Sequence, residues 1–313
     1  MRTVVGTIPW LPSPLSRWSW LTEPIPAERL AAWRIGTGLV LLLDLLLFYA
    51  PDLLHLYGPG SLTEPDVFAG RFASPHWNWS ILRWLPVTWG PQVCLAIWIA
   101  SAVALIFGCR PRCAAAVAWA LSLSFYNTNF YLHNSGDRIR HFLLLLLIVA
   151  PSDAVWAIRR RPRNVDGPIF VPPWPAQLML LQMIAMYFMN GVYKMLGRMW
   201  WEGSVMHYVS HDLAWARWSA LPMPYWTTQC LTWTALIWEV GFPIWIVLRR
   251  TRIFALVMGV VFHLVTFFHL DIAAFPLYAL CLYLPLAPWE RLKWCQKRQE
   301  ANTPCAASVP DAR

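Results

Sequence analysis

The 313-residue chain is 58% hydrophobic and 13% charged, about half the charge of an ordinary soluble domain. With 22 Trp, 26 Pro and a mean hydropathy of +0.44, it is too apolar to be disordered or fibrous. Its seven Cys are too few for a disulfide scaffold. What remains is an all-α polytopic membrane protein, in which the net charge of +9 first reports topology and not a nucleic-acid partner.

In chain order, residues 1–29 hold five prolines with Trp10, Trp18 and Trp20 but no continuous apolar run. They fail as a signal peptide and are predicted to lie along the cytoplasmic interface. Stretches of about 20 apolar residues then fall at 30–50, 90–109, 113–132, 138–157, 175–197, 226–248, 253–270 and 272–287. Eight spans, a bundle over 30–288, are therefore expected, the eighth short and carrying Pro276 and Pro285. A basic tail follows over 289–313.

With the N-terminus placed inside, seventeen of the 25 basic residues fall on inner segments and six on outer ones. Every tight inner turn is basic, as Arg110 and Arg112, Arg159 to Arg163, and Arg249 to Arg252 illustrate. This predicts a multi-pass protein of the cell's inner (plasma) membrane with both termini cytoplasmic. The outer loops over 51–89 and 198–225 are rich in Trp and Pro and are predicted to cap the bundle.

Ionisable groups inside such spans are expensive and mark function. Arg34 and Asp44 lie on the first span, and His133, Asp137, Arg138, Arg140 and His141 bracket the outer end of the third and fourth. Lys194 is one of only three lysines and ends the apolar stretch from Met179. It either snorkels to the headgroups or serves as a desolvated base working near neutrality. Glu239 at mid-span is expected to pair with Lys194 or with His263, itself either a hydrogen-bonded core histidine or part of a site. Tyr193 and Trp201 are candidates to stack on a flat ring, although an aromatic belt accounts for most tryptophans. His207 and His211 share a helical face, but no third ligand is fixed, and no metal is expected.

Several of these motifs occur in an order that resembles a known family. They are Arg34-Ile35-Gly36-Thr37-Gly38 with Asp44 and Tyr57-Gly58-Pro59-Gly60; Asn134-Ser135-Gly136-Asp137; Gly191-Val192-Tyr193-Lys194 with Trp201-Glu202-Gly203; Glu239 with Pro243; and Phe262-His263 with Phe275. Together they resemble the HTTM domain, the membrane domain of vitamin K-dependent gamma-carboxylases and their bacterial relatives. The resemblance runs from about residue 27 to 292.

It implies a quinol-dependent oxidoreductase or a peptide-modifying, maturation enzyme. The cofactor would be a reduced quinone (menaquinol, ubiquinol or vitamin K hydroquinone) and the partners a secreted peptide or small protein and membrane lipid. Lys194 falls on the family's quinol-deprotonating lysine and His263 on its buried histidine, with Glu239 as their electrostatic support. The family's assisting histidine has no direct counterpart. Asn134 and Asp137 hold that stretch beside His133 and His141, and all four are expected to position substrate. The large C-terminal region with which animal carboxylases grip propeptides has no equivalent in the 25 residues after the last predicted span. The alternative to an enzyme is a non-catalytic membrane partner or transporter-like subunit, with the buried charges bracing the bundle or lining a path.

Overall fold

Backbone hydrogen bonds that cannot reach water must close within the chain, and in an apolar sequence of this kind they close as helices. The computed structural model describes residues 23–61, 79–129, 132–158, 168–218, 223–248 and 250–291. Residues 1–22 of the predicted interfacial segment and 292–313 of the predicted tail lie outside them.

Pro26, at φ −56° and ψ 135°, ends the short strand β1 (Ile25–Pro26) and starts α1 (Ala27–Asp44), which continues as a π turn over Leu45–Tyr49. Strand β1 pairs antiparallel with β2 (Phe170–Val171). After the short α2 (Leu53–Tyr57) come α3 (Gly90–Phe107), α4 (Pro111–Thr128) and α5 (Ser135–Val149). Prolines at the first positions of α3 and α4 occupy sites where no amide donor is needed. Asn134 and Asp137 form a reciprocal capping box at the start of α5.

The second half holds α6 (Trp174–Met195), the short α7 (Arg198–Glu202) and α8 (Val205–His211), α9 (Tyr225–Val247), α10 (Arg252–His269) and α11 (Phe275–Cys281). The packing order is α1 on α3, α3 on α4, α4 on α5, and α5 on α11, which returns to α1. From α11 the packing continues to α10, α9 and α6. A five-helix ring and a three-helix wing thus share α11 as their hinge line.

All eight predicted spans are helical, but they do not all have the length and apolarity to cross a membrane. Among the described residues four segments do: Ala27–Tyr49, Gly90–Phe107, Tyr225–Val247 and Arg252–His269. The expected span over 138–157 is a 15-residue helix, roughly 22 Å at 1.5 Å per residue against about 30 Å of hydrocarbon. Pro151 restricts the backbone just after it. The expected eighth span is a seven-residue helix followed by a 3₁₀ turn over Leu284–Leu286 with Pro285 inside. Along α10 only Ala255, Gly259 and His263 are buried, one per turn. Its other faces present Ile253, Phe254, Val257, Val261, Val265 and Phe268 outward, as a lipid-facing helix does.

Candidate functional site

Two polar clusters lie inside this apolar bundle, one in the wing and one in the ring. In the wing, Lys194 ends α6 and Glu239 sits two-thirds along α9. Lys194 Nζ donates to Glu239 Oε1 at 2.6 Å. The carboxylate side chain is 4% exposed and the lysine 22%, so the pair is half-open on the lysine side. Glu239 Oε2 is buried and has no hydrogen-bond partner. The Lys194 ammonium also lies 4.5 Å from the Trp200 ring centroid, a cation–π contact of about 1 kcal/mol. The close crossing of α6 and α9 depends on Gly191. A Cβ there would sit 2.9 Å from Val240 Cγ2 and 3.0 Å from Val240 N.

Two turns before Lys194 on the same helix, Tyr187 is buried. Its hydroxyl shares hydrogen bonds of 2.6 Å with His263 Nε2 and 2.6 Å with the Tyr283 hydroxyl. His263 is wholly buried, and its Nδ1 has no partner. Phe242, one turn beyond Glu239, packs its ring 4.4 Å from that of Tyr187. Glu239 therefore pairs with Lys194, while His263 takes a tyrosine, the partner that reading ionisable groups alone passed over.

The ring cluster is centred on Arg140 of α5, which is 1% exposed. Its guanidinium bonds Asp44 Oδ2 at 2.8 Å, Ser122 Oγ at 2.7 Å and the Tyr49 hydroxyl at 3.1 Å. It also pairs with Asp137 Oδ1 at 2.7 Å. Tyr278 of α11 donates to Asp44 Oδ2 at 2.7 Å, and Trp98 lies under the guanidinium at 5.2 Å. The π turn after α1 is what brings Tyr49 to this group. One cation between two carboxylates, with further hydrogen bonds, is an arrangement that lets charge remain buried.

Phe275 bridges the clusters. Its ring centroid is 5.9 Å from that of His263, and its Cα would be 2.9 Å from a Cβ on Gly136, next to Asp137. Phe275 thus lies between His263 of the wing and the start of α5, the helix that carries Asp137 and Arg140.

The other predicted positions are placed as follows. Asn134 Oδ1 accepts from the amides of Gly136 and Asp137 at 2.7 and 3.3 Å, and Asp137 Oδ2 accepts from the Asn134 amide at 2.9 Å. Both are thereby engaged in the helix cap. His133 stacks on Tyr126 with centroids 3.5 Å apart, and His141 meets the same ring edge-on at 5.2 Å. Tyr193 is 67% exposed. Trp201 donates through Nε1 to the Met195 carbonyl at 2.6 Å, so Trp200 is the tryptophan that covers the ammonium.

His207 and His211 share the α8 face with ring centroids 4.5 Å apart. Among the described residues, no group of three or more His, Cys, Asp or Glu is arranged to hold a metal. Neither of the two described cavities is lined by Lys194, Glu239, Tyr187 or His263. The missed residues, Tyr49, Tyr187, Tyr278 and Tyr283, read as apolar in a hydropathy scan. Tyr187 alone left a signal, since it lies at i−7 from Lys194 with Gly191 between, on one helical face.

A family model described as HTTM domain matches residues 22–288, most of the chain. No curated protein and no solved structure matches it.

Proposed function

Because this membrane protein belongs to the HTTM domain family, we propose that it is a quinol-dependent, gamma-carboxylase-like enzyme of the plasma membrane in which the Lys194–Glu239 pair handles the proton. The observation that carries this reading is the 2.6 Å Nζ–Oε1 contact beside a buried, unpartnered Oε2. Moving the shared proton from Nζ to Oε1 leaves a neutral amine and a neutral acid. That amine is competent as a base, and an uncharged pair costs little to keep in an apolar setting. Oε2 remains an acceptor without a donor, and buried acceptors of that kind cost about 1–3 kcal/mol until a donor arrives.

The ligand in this reading would be a flat aromatic diol. The Trp200 face and the half-open Lys194 would hold the ring, and the buried Glu239 Oε2 would accept a hydroxyl once the pair opens toward it. Reduced quinone supplies two electrons and an acidic O–H. His263, bonded to Tyr187, which in turn bonds Tyr283, would fix the helices behind the pair. Asn134, Asp137, His133 and His141, at the start of α5 and the turn before it, would position an exported peptide in this reading.

The test is a titration of a short-chain reduced naphthoquinone into the purified protein, followed by tryptophan fluorescence. The expected result is saturable quenching, weakened about tenfold or more in Trp200→Leu through the lost stacking. Absence of saturable quenching in the unaltered protein would leave the non-catalytic partner as the better reading.

A further inference from the structure

Helix α10 buries one side, through Ala255, Gly259 and His263. Its outward side carries a groove of about 390 Å³, lined by Val261, Leu264, Val265, Phe268 and His269 and walled by Trp218 from the segment before α9. The groove shares no residue with the Lys194–Glu239 pair and is independent of the reading given to it. Residues 261 to 269 cover about 12 Å of helix axis, most of the roughly 15 Å of hydrocarbon in one leaflet. At about 30 Å³ for a group of methylene size, the volume takes roughly thirteen methylenes. Length and volume both match one acyl chain.

The wall is fastened in place. Trp218 Nε1 donates to the Phe268 carbonyl at 2.7 Å, and Ala216 pairs with Leu270. The amides of Arg217 and Asp271 donate to the His269 and Trp215 carbonyls at 3.1 and 2.7 Å. His269 Nε2 shares a hydrogen bond of 2.9 Å with Ser210 Oγ. With these polar groups engaged, the groove offers a guest mainly apolar side chains. Trp215 and Trp218 are both exposed, and indole rings of that kind favour the headgroup level of a bilayer.

Beside them, Arg217 Nη2 and Asp271 Oδ1 form an ion pair stretched to 3.4 Å, with side chains 28% and 62% exposed. Such a pair contributes little to the fold. It sets one positive and one negative charge next to the end of the groove. An anionic headgroup there gains at Arg217 what it loses at Asp271, while a zwitterionic one gains at both.

We infer that this groove holds one zwitterionic phospholipid of the surrounding membrane. An acyl chain lies along Val261, Leu264 and Val265, the phosphate meets Arg217 and the ammonium meets Asp271. The apolar wall argues for lipid over a soluble ion, and the balanced charges argue for a zwitterionic over an anionic headgroup.

The test is native mass spectrometry of the purified full chain, equilibrated in detergent with equal amounts of phosphatidylethanolamine and phosphatidylglycerol of the same acyl chains. Glycerophosphoethanolamine serves as the headgroup without chains. The expected result is one retained lipid, phosphatidylethanolamine favoured about fivefold, the effect of one charge at a membrane surface, with the chainless headgroup not retained. Val261→Trp, at a position 44% exposed and so outside the core, fills the groove and should abolish retention at unchanged helical content. Asp271→Lys should turn the preference toward phosphatidylglycerol. Equal retention of the two lipids, retention of the chainless headgroup, an undiminished signal in Val261→Trp, or an unchanged preference in Asp271→Lys would each overturn the proposal.

Discussion

A lysine and a glutamate in contact at 2.6 Å inside an apolar bundle are worth little as a brace but a great deal when one is removed. The Lys194 side chain is 22% exposed, so Glu239→Leu is expected to cost about 2 kcal/mol, below the range for fully buried pairs. Lys194→Met with Glu239→Leu should be less destabilised than the sum of the single changes, as read by thermal unfolding in a double-mutant cycle. Strict additivity would show that the two groups do not act together. Tyr187→Phe removes one oxygen but strands both the His263 Nε2 and the Tyr283 hydroxyl. The expected loss is about 1–3 kcal/mol, while Tyr193→Phe, at an exposed position, should leave unfolding unchanged.

Among the elements, the contact of α6 with α9 is the most exacting. An Ala normally stabilises a helix by about 1 kcal/mol relative to Gly. At Gly191 the added methyl would press on the Val240 backbone, so Gly191→Ala should reverse that sign and destabilise by about 1–3 kcal/mol. A stabilised variant would mean that the helices part without cost.

Element positions were readable in advance because apolar runs of this length must form helices. Their lengths were less so, because hydropathy does not register where Pro151 and Pro285 stop a helix. The site was readable only where the side chains are charged. Lys194, Glu239, His263 and Arg140 stand out against an apolar background, whereas the tyrosine hydroxyls that hold them count as hydrophobic until their partners are seen. Asn134 and Asp137 have the opposite history. Their polarity points to a role toward substrate, and the fold shows a second use for it in the cap of α5.

For the whole molecule, the tryptophans divide by environment. Trp33, Trp98 and Trp238 are core, while Trp201, Trp218 and Trp233 donate indole N–H bonds to backbone carbonyls. Those bonds fasten the connecting segments to the helices. At the other end of the bundle, Arg29 and Glu290 join the first helix to the last described turn. Burial alone would raise the Glu290 carboxyl, but the Arg29 hydrogen bond and charge outweigh it and hold the group below its ordinary value near 4.5.

A carboxyl depressed in this way stabilises the fold above its ordinary value and loses that contribution as pH falls through the depressed one. The Tm gap between the unaltered chain and Glu290→Gln should therefore be full at neutral pH and close progressively below about pH 4.5. A gap independent of pH would remove the pair from any stabilising role.

The most direct measurement is the rate at which the purified chain consumes a reduced naphthoquinone under oxygen, alongside Lys194→Ala and Glu239→Gln matched for helical content. Consumption above the protein-free rate is predicted for the unaltered chain, with a loss of about 100-fold or more in Lys194→Ala, the usual effect of removing a general base. No consumption by the unaltered chain, or consumption undiminished in Lys194→Ala, would contradict the assignment of proton transfer to this pair.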